Sequence, residues 1–470
     1  MANNISERAN FGSKLGVILA TAGSAVGLGN VWRFPYMAGE NGGAAFIFIY
    51  ILCVVLLGLP CMVSEFIIGR HAGANTMRAY GEIGTTAEAD PGPAKGHARG
   101  GRAWRWVGAL GVMTAFLITC YYAVVSGWCL EYVWASVSGQ VLGSPDYVQH
   151  YFADFSTSAW RPVLWTVVFF LITHVVITRG VQRGIERASK LLMPTLFILL
   201  LVLVVAACML PGAGKGVRFL FQPDFTKLTK DVFLGALGQS FYSMSIAMGC
   251  LCTFASYFSR QTDLGRSAVQ IALIDTCVAI LAGLLIFPAA FSVGVSPDSG
   301  PSLVFITLPS VFQQAFGSMP LLAWAMPVLF YALLALAALT SLISLHEVST
   351  AFFSEELHLS RHRAATLVTV GCCCIGVFCS LSLGAVDGLR VLGMPLFDAF
   401  DFVTGQIFLP VGGFLTCIFM GWFAPHSVVR SEFMQGGTLS GRYFHAYLLL
   451  VKYVCPIAIA AIFLHQLGVI

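Results

Sequence analysis

Hydrophobic residues fall in long runs along the chain, and charged residues, glycine or proline separate each run from the next. A helix needs ~20 apolar residues to cross a bilayer, and most runs reach that length. Eleven runs predict membrane spans, numbered 1 to 11 in chain order: 14–38, 42–69, 107–137, 161–178, 190–210, 232–257, 267–295, 320–356, 364–384, 396–422 and 443–467. The pattern predicts an all-α polytopic membrane protein with one transmembrane domain, residues 1–470.

Composition supports this class of protein. Of the 470 residues, 57% are hydrophobic and 10% charged, against about 25% charged in soluble domains. These values exclude a soluble enzyme, a disordered chain and a nucleic-acid binder, and they make the lipid bilayer the expected environment. The 14 cysteines lie mostly inside apolar runs, which favours small core residues over a disulfide framework or a zinc site.

The placement of basic residues predicts the orientation. If the N-terminus is inside, the inner segments hold eighteen of the 26 Lys and Arg residues, the outer segments hold seven, and Lys452 lies in span 11. This bias favours a cytoplasmic N-terminus, and eleven spans then place the C-terminus outside. Between spans, 75–105 is expected to be the least ordered segment and 296–318 a folded outer loop that dips toward the protein.

Two spans carry sequences that oppose a continuous helix. Residues 23–30 in span 1 contain three glycines and Asn30, and residues 239–249 in span 6 contain one Gln and three Ser. Unwound backbone inside a bilayer is tolerated where it lines a cavity, and its free carbonyls then become ligands for cations. Close helix packing through small residues is the alternative explanation of the glycines.

Five segments carry a resemblance to a known family, in family order over nearly the whole chain: 23–36, 40–46, 180–186, 254–257 and 338–341. The sequence resembles the neurotransmitter:sodium symporter family. Eleven spans and the short outer loop 138–160 are similar to bacterial members, which implies a bacterial inner (plasma) membrane. The resemblance also implies two inverted five-helix repeats, at about 14–210 and 232–422, with helices 1 and 6 broken and 443–467 as an extra helix.

The family implies a sodium-coupled symporter, not an enzyme, with two Na⁺ sites. The first matches the Ala25 carbonyl, the Asn30 amide oxygen, Ser243 and Asp275, together with the substrate carboxylate. The second matches the carbonyls of Gly23, Val26 and Ala337 with the hydroxyls of Thr340 and Ser341. Several oxygens around one position suit a hard cation. Bonding of the Thr340 and Ser341 hydroxyls back to their own helix is the alternative.

Asp275 departs from the family pattern, in which many members carry Asn. Chloride-dependent relatives use positions that match Tyr50, Gln239 and Ser243, plus a serine where this chain has Ala279. We expect Asp275 to supply the negative charge that chloride supplies elsewhere, so chloride is not expected as a cofactor. Proton uptake by Asp275 after sodium release is a related expectation, and a structural hydrogen-bonded Asp is the alternative.

The resemblance implies an amino acid substrate. Gly27 stands where monoamine transporters have Asp, so the site lacks a counter-ion for a substrate that is only an amine. The expected substrate site consists of Ser24, Ala25, Leu28, Gly29, Ile118, Tyr122, Tyr242, Ser243, Ser245, Met248, Ser341 and Leu345. Its mostly apolar lining predicts a neutral amino acid with a hydrophobic or aromatic side chain.

The remaining charges match the gates of the family. Arg33 and Asp401 are expected to pair outside the site, with Tyr122 and Tyr242 as a lid. Arg8 and Glu355 are expected to pair inside, beside a network of Ser256, Tyr257 and Glu347. Glu65 and Asp398 are expected to be buried acids, without a predicted partner.

Two other functions stay open at this point, because a substrate-gated channel or a sensor that does not transport would reuse the same fold. A weakly associated homodimer is also compatible with the sequence. A membrane enzyme is disfavoured because the chain has no HExxH sequence and no GxSxG-type nucleophile. His174 and His346 lie in spans without companion ligands, which favours packing roles.

Overall fold

The computed structural model describes residues 10–89, 101–294, 304–435 and 441–466. Nearly all of this part is helical. Among the described residues, nine helices are long and apolar enough to cross a membrane: Ala44–Ala72, Gly101–Val137, Arg161–Thr178, Val181–Cys208, Leu264–Ser292, Pro320–Glu356, Arg361–Leu381, Leu396–Phe423 and Tyr443–His465. Large apolar side chains on their outer faces, such as Leu273, Ile198 and Ile457, are exposed, as lipid contact requires. The protein is therefore a multi-pass membrane protein.

The first span is broken as the sequence predicts. Lys14–Ala25 and Gly29–Glu40 meet at an angle of 52°, and Val26 at the end of the first part has extended backbone (φ −73°, ψ 106°). This bent pair would count as a tenth span. The small residues therefore lie in a break and not in a continuous helix, and backbone groups there can form contacts with side chains.

A second pair of helices, Lys230–Ser243 and Cys250–Ala255, occupies the position of the predicted sixth span. Six residues, Met244 to Gly249, separate the two helices. Ser245 (φ 53°), Ala247 (φ 65°) and Gly249 (φ 73°) are left-handed there, and such residues interrupt the α-helical hydrogen-bond pattern. Each half is too short to count as a span by itself, so the number eleven stays a prediction.

The described part also contains shorter elements between the long helices. These are the helices Thr76–Ala89, Pro145–Ser156, Ala213–Phe221, Thr307–Phe316 and His426–Met434, a single helical turn Phe225–Lys227, and the paired strands Arg390–Val391 and Met394–Pro395. The Gly101–Val137 and Pro320–Glu356 helices pack along each other and form the centre of the scaffold. The Lys14–Ala25 and Cys250–Ala255 helices lie against Pro320–Glu356, and the Leu264–Ser292 helix packs against the first broken pair and Val181–Cys208.

The two connecting segments differ in how well they were predicted. Within 75–105, expected to be the least ordered, Thr76–Ala89 is a helix, so that expectation was wrong there, while residues 90–100 lie outside the described part. Asn75 begins this helix by accepting a hydrogen bond from the Arg78 N–H at 3.1 Å. Within 296–318, the Thr307–Phe316 helix buries Leu308 and Phe312 completely, consistent with a loop that dips inward.

Candidate functional site

The two helix breaks face each other in the protein interior and are joined by side chains. The Tyr122 hydroxyl accepts a hydrogen bond from the Leu28 N–H at 3.2 Å. Ser245 Oγ donates to the Ser24 carbonyl at 2.8 Å, and Gln239 Nε2 donates to the Gly29 carbonyl at 2.9 Å. Backbone groups released by the breaks are therefore bonded to side chains across the site, as buried polar groups must be.

Asp275 lies beside these breaks and is completely buried. Its carboxylate accepts hydrogen bonds from Asn30 Nδ2 (2.7 Å), from Ser243 Oγ (2.9 Å) and from the Tyr50 hydroxyl (3.1 Å). All three donors are neutral, and within the described residues no basic side chain forms an ion pair with this carboxylate. A buried carboxylate with neutral donors can bind a cation without first breaking a salt bridge.

Asn30 is oriented differently from the expectation. Its amide oxygen, the predicted sodium ligand, accepts a hydrogen bond from the Gly27 N–H at 3.1 Å, while its nitrogen faces Asp275. The physical reason is that an amide beside a carboxylate is held best through its N–H groups. A half-turn of the amide about its last side-chain bond would exchange the two atoms.

The residues of the predicted second sodium site also come together. Thr340 Oγ1 lies 2.9 Å from the Ala337 carbonyl and 3.3 Å from the Val26 carbonyl, and Ser341 Oγ lies 3.3 Å from the same Val26 oxygen. A Cβ atom added at Gly23 would lie 3.3 Å from Thr340 Cβ. The Thr340 hydroxyl thus bonds back to its own helix and also lies close to the broken helix. The geometry is therefore compatible both with back-bonding and with the predicted sodium site.

The predicted substrate residues surround the same breaks. Eleven of the twelve are buried, and Tyr242 is partly buried: Ser24, Ala25, Leu28, Gly29, Ile118, Tyr122, Tyr242, Ser243, Ser245, Met248, Ser341 and Leu345. Gly27 lies at their centre. A Cβ atom there would collide with Ser341 Oγ and lie 3.0 Å from the Tyr122 hydroxyl. The absence of a side chain at position 27 therefore allows helix 1 to approach Tyr122 and Ser341.

Glu65 has a partner that sequence reasoning did not identify. Its Oε1 accepts a hydrogen bond from the Ala247 N–H at 2.6 Å, and the side chain is 1% exposed. The left-handed Ala247 directs this N–H away from its own helix. The position of this acid in the middle of an apolar run indicated a buried carboxylate. Its partner could not be identified in the same way, because it depends on the backbone conformation of the second break. Asp398, expected to be buried, is exposed instead because it lies in the first turn of its helix.

The outer gate residues face one narrow cleft of about 50 Å³ without forming an ion pair. Arg33, Tyr242 and Asp401 all line it. The Arg33 guanidinium lies over the Tyr242 ring, 4.4 Å from its centroid. The predicted Arg33–Asp401 pair is thus not formed in this structure, because Arg33 stacks on the aromatic ring instead.

The inner gate is described only in part. Arg8 lies outside the described residues, and Glu355 accepts hydrogen bonds from the N–H and the side-chain amide of Asn75 at 2.7 and 3.0 Å. In the predicted inner network, the Tyr257 hydroxyl donates to Glu347 at 2.7 Å. Arg361, which the sequence did not single out, contacts both oxygens of Glu347 at 2.9 and 2.6 Å.

Comparison with known proteins agrees with this geometry. The family model described as the sodium:neurotransmitter symporter family matches residues 8–145 and 152–470. The sodium-dependent transporter YhdH of Bacillus subtilis is 35% identical over 98% of both chains. A sodium-dependent transporter of Haemophilus influenzae is 32% identical over 99% of this chain and 100% of its own.

A solved structure extends the comparison to the fold. The crystal structure of MhsT in complex with L-phenylalanine has a TM-score of 0.84 and 37% identity, and the match covers 98% of this chain and 100% of that chain. Sequence and fold therefore agree over almost the full length. The chain belongs to the sodium:neurotransmitter symporter family, whose members are transporters and not enzymes.

Proposed function

We propose that the protein imports a neutral amino acid, hydrophobic or aromatic in its side chain, together with Na⁺ by alternating access. The observation that carries the proposal is the buried Asp275 carboxylate, which is bonded to neutral donors at the meeting point of the two breaks. Na⁺ binding there would satisfy the buried charge. Broken helices supply further oxygens without introducing protons.

The first sodium ion would be held by Asp275, Ser243, the Ala25 carbonyl and the Asn30 amide oxygen after the amide turns. The substrate carboxylate would complete the ligand set. Because ion and substrate would then contact each other directly, each would bind more tightly in the presence of the other, and this reciprocity is the coupling.

A second sodium ion would lie between the carbonyls of Gly23, Val26 and Ala337 and the hydroxyls of Thr340 and Ser341. The short distances from both hydroxyls to the Val26 carbonyl support this assignment. The ion would join the broken helix to the Pro320–Glu356 scaffold helix. Its release would free the broken helix to move.

The substrate carboxylate would lie near the N–H groups of Leu28 and Gly29 and the Tyr122 hydroxyl, and its ammonium near the carbonyls of Ala25 and Tyr242. The Ser245 hydroxyl would assist. Ile118, Met248 and Leu345 supply apolar surface for the side chain. The bound L-phenylalanine of MhsT, at 37% identity, supports an amino acid of this class.

Transport is proposed to be independent of chloride. The hydrogen bonds of Asp275 to Tyr50 and Ser243 put a fixed carboxylate among residues that match the chloride ligands of relatives, and Ala279 lacks the hydroxyl of the fourth. The Asp275 carboxylate would take up a proton once sodium leaves, and the empty transporter would carry this proton back across the membrane.

The proposed architecture is one domain of eleven spans, with inverted repeats at about 14–210 and 232–422 and the extra helix at 443–467. Spans 1, 2, 6 and 7 would rock against spans 3, 4, 8 and 9. The N-terminus would be cytoplasmic and the C-terminus periplasmic or extracellular, in a bacterial inner membrane. A weak homodimer remains compatible with this arrangement.

Uptake into proteoliposomes tests the proposal. With an inward sodium gradient, labelled phenylalanine or leucine should accumulate above its outside concentration and saturate, and unlabelled neutral amino acids should compete. Equal uptake with potassium in place of sodium would contradict the proposal. A channel would equilibrate the substrate without concentrating it, and a sensor would bind it without any uptake.

A further inference from the structure

The motif at residues 180–186 lies away from the site described above and positions a row of arginines. Gly180, with φ of 87°, ends the Arg161–Thr178 helix and starts the turn into Val181–Cys208. A Cβ atom at Gly184 would collide with the Val176 carbonyl oxygen. The glycines therefore permit a tight junction, and Arg183 and Arg187, four residues apart, project from one side of the following helix.

Arg361 fixes a third element against this junction. Besides its contacts with Glu347, its Nε donates to the Ile177 carbonyl at 3.0 Å. This bond ties the start of the Arg361–Leu381 helix to the end of Arg161–Thr178. His362, the next residue, is consequently held beside the arginine row.

The three elements enclose a broad polar groove of about 870 Å³, lined by Thr178, Arg179, Arg183, Arg187 and His362. A shallow, open depression of about 460 Å³ adjoins it at His362 and is lined further by Arg363, Thr366, Leu367 and Val370. Leu367 and Val370 are 48% and 56% exposed on the outer face of a membrane helix. The basic groove thus borders an open apolar surface on the lipid-facing side of the protein.

The described part of the chain does not neutralise the arginines of the groove. Within the described part of the chain, Arg179, Arg183, Arg187 and Arg363 have no carboxylate oxygen within 4 Å. Glu186, the acid nearest in sequence, bonds instead to Lys190 at 2.7 Å and to the Gly12 N–H at 2.7 Å. The groove therefore carries a concentrated positive charge that an external anion can balance.

The geometry points to a binding site for one anionic phospholipid, with its phosphate headgroup among Arg179, Arg183 and Arg187 and an acyl chain along Leu367 and Val370. Basic pockets between membrane helices suit lipid phosphates, and arginine binds phosphate oxygens in a bidentate manner. Scattered basic residues would attract a membrane without converging on one groove and without an apolar surface beside them, whereas this site has both features. The inference depends on membrane insertion and not on the substrate proposed above.

Native mass spectrometry of the delipidated full-length protein tests this site. Tetraoleoyl cardiolipin and dioleoyl phosphatidylglycerol should bind, and dioleoyl phosphatidylcholine should bind at least tenfold more weakly. Arg183→Gln should weaken cardiolipin binding about fivefold, and Arg183→Gln with Arg187→Gln about 30-fold. The matched control, Arg430→Gln, alters an exposed arginine outside the groove and should leave binding unchanged.

Three results would overturn the assignment. One is equal binding of phosphatidylcholine and cardiolipin, and another is an equal loss of binding in the Arg430→Gln control. The third is displacement of the lipid by excess inorganic phosphate, which would indicate a site for free anions rather than lipid. If the double variant aggregates, Arg187→Gln alone carries the test with an expected fivefold loss.

Discussion

Asn30 and Asp275 lie in direct contact, with the amide nitrogen 2.7 Å from the carboxylate, although 245 positions separate them in the chain. The contact joins the second half of the broken first span to the Leu264–Ser292 helix. Ser243, at the end of the first half of the second broken pair, bonds to the same carboxylate. One buried carboxylate thus connects both breaks, and sodium binding at this point would act on both.

Replacing either neutral ligand should weaken sodium binding. Asn30→Ala and Ser243→Ala each remove one side-chain oxygen that would hold the proposed sodium ion. A polar partner of a charged group contributes about 1.5–3 kcal/mol, which corresponds to roughly 10- to 100-fold in affinity. The sodium concentration that gives half-maximal amino acid binding should rise accordingly. Ser240→Ala is the control, because Ser240 Oγ bonds to the Leu237 carbonyl of its own helix. Unchanged sodium affinity in both variants would refute the assignment.

Chloride should be dispensable for the natural protein and required once Asp275 is neutralised. Uptake measured in gluconate should equal uptake in chloride, because the fixed carboxylate supplies the negative charge. Asp275→Asn should slow uptake in gluconate, with partial recovery in chloride. Loss of uptake by the natural protein in gluconate would show that Asp275 does not have this role.

A methyl group at position 27 should disrupt the substrate site. In Gly27→Ala the added Cβ would overlap Ser341 Oγ and crowd the Tyr122 hydroxyl, so helix 1 would have to move away from both. Overpacking of this kind costs about 1–3 kcal/mol. We expect amino acid affinity to fall at least tenfold by scintillation proximity binding. Gly214→Ala should have no effect, since a Cβ there meets nothing within 4 Å.

The features that reside in single segments were predictable from the sequence. The glycines of 23–30 predicted the first break, and the polar run of 239–249 predicted the second, because both patterns oppose a regular helix locally. Features that depend on tertiary contacts were not predictable. The partner of Glu65 is an N–H exposed by left-handed Ala247, and the order of Thr76–Ala89 depends on Asn75, which Glu355 holds in place.

Side-chain orientation was the other limit. The family resemblance implied that Asn30 lies beside Asp275, but not which end of the amide faces the carboxylate. It likewise implied that Arg33 pairs with Asp401, whereas Arg33 stacks on Tyr242. In both cases a side chain has two possible partners within reach, and the residue types alone do not determine which contact forms.

Removing Arg361 should destabilise the protein strongly. Glu347 is completely buried, and Arg361→Ala would leave its carboxylate without a cation, a change that costs about 3–5 kcal/mol. Thermal unfolding in detergent should occur at a clearly lower temperature than for Arg266→Ala, which alters an exposed arginine. The double variant Arg361→Met with Glu347→Leu should recover much of the loss. Equal unfolding temperatures for Arg361→Ala and Arg266→Ala would indicate that the pair contributes little.

The central claim is that sodium and an amino acid carboxylate bind in contact at the two helix breaks. Equilibrium binding of labelled phenylalanine to the purified protein, over a range of sodium concentrations with potassium as the balancing salt, tests it most directly. The account predicts that phenylalanine binds only with sodium and that added phenylalanine lowers the sodium concentration needed for half-saturation. Equal phenylalanine affinity in sodium and in potassium would contradict it.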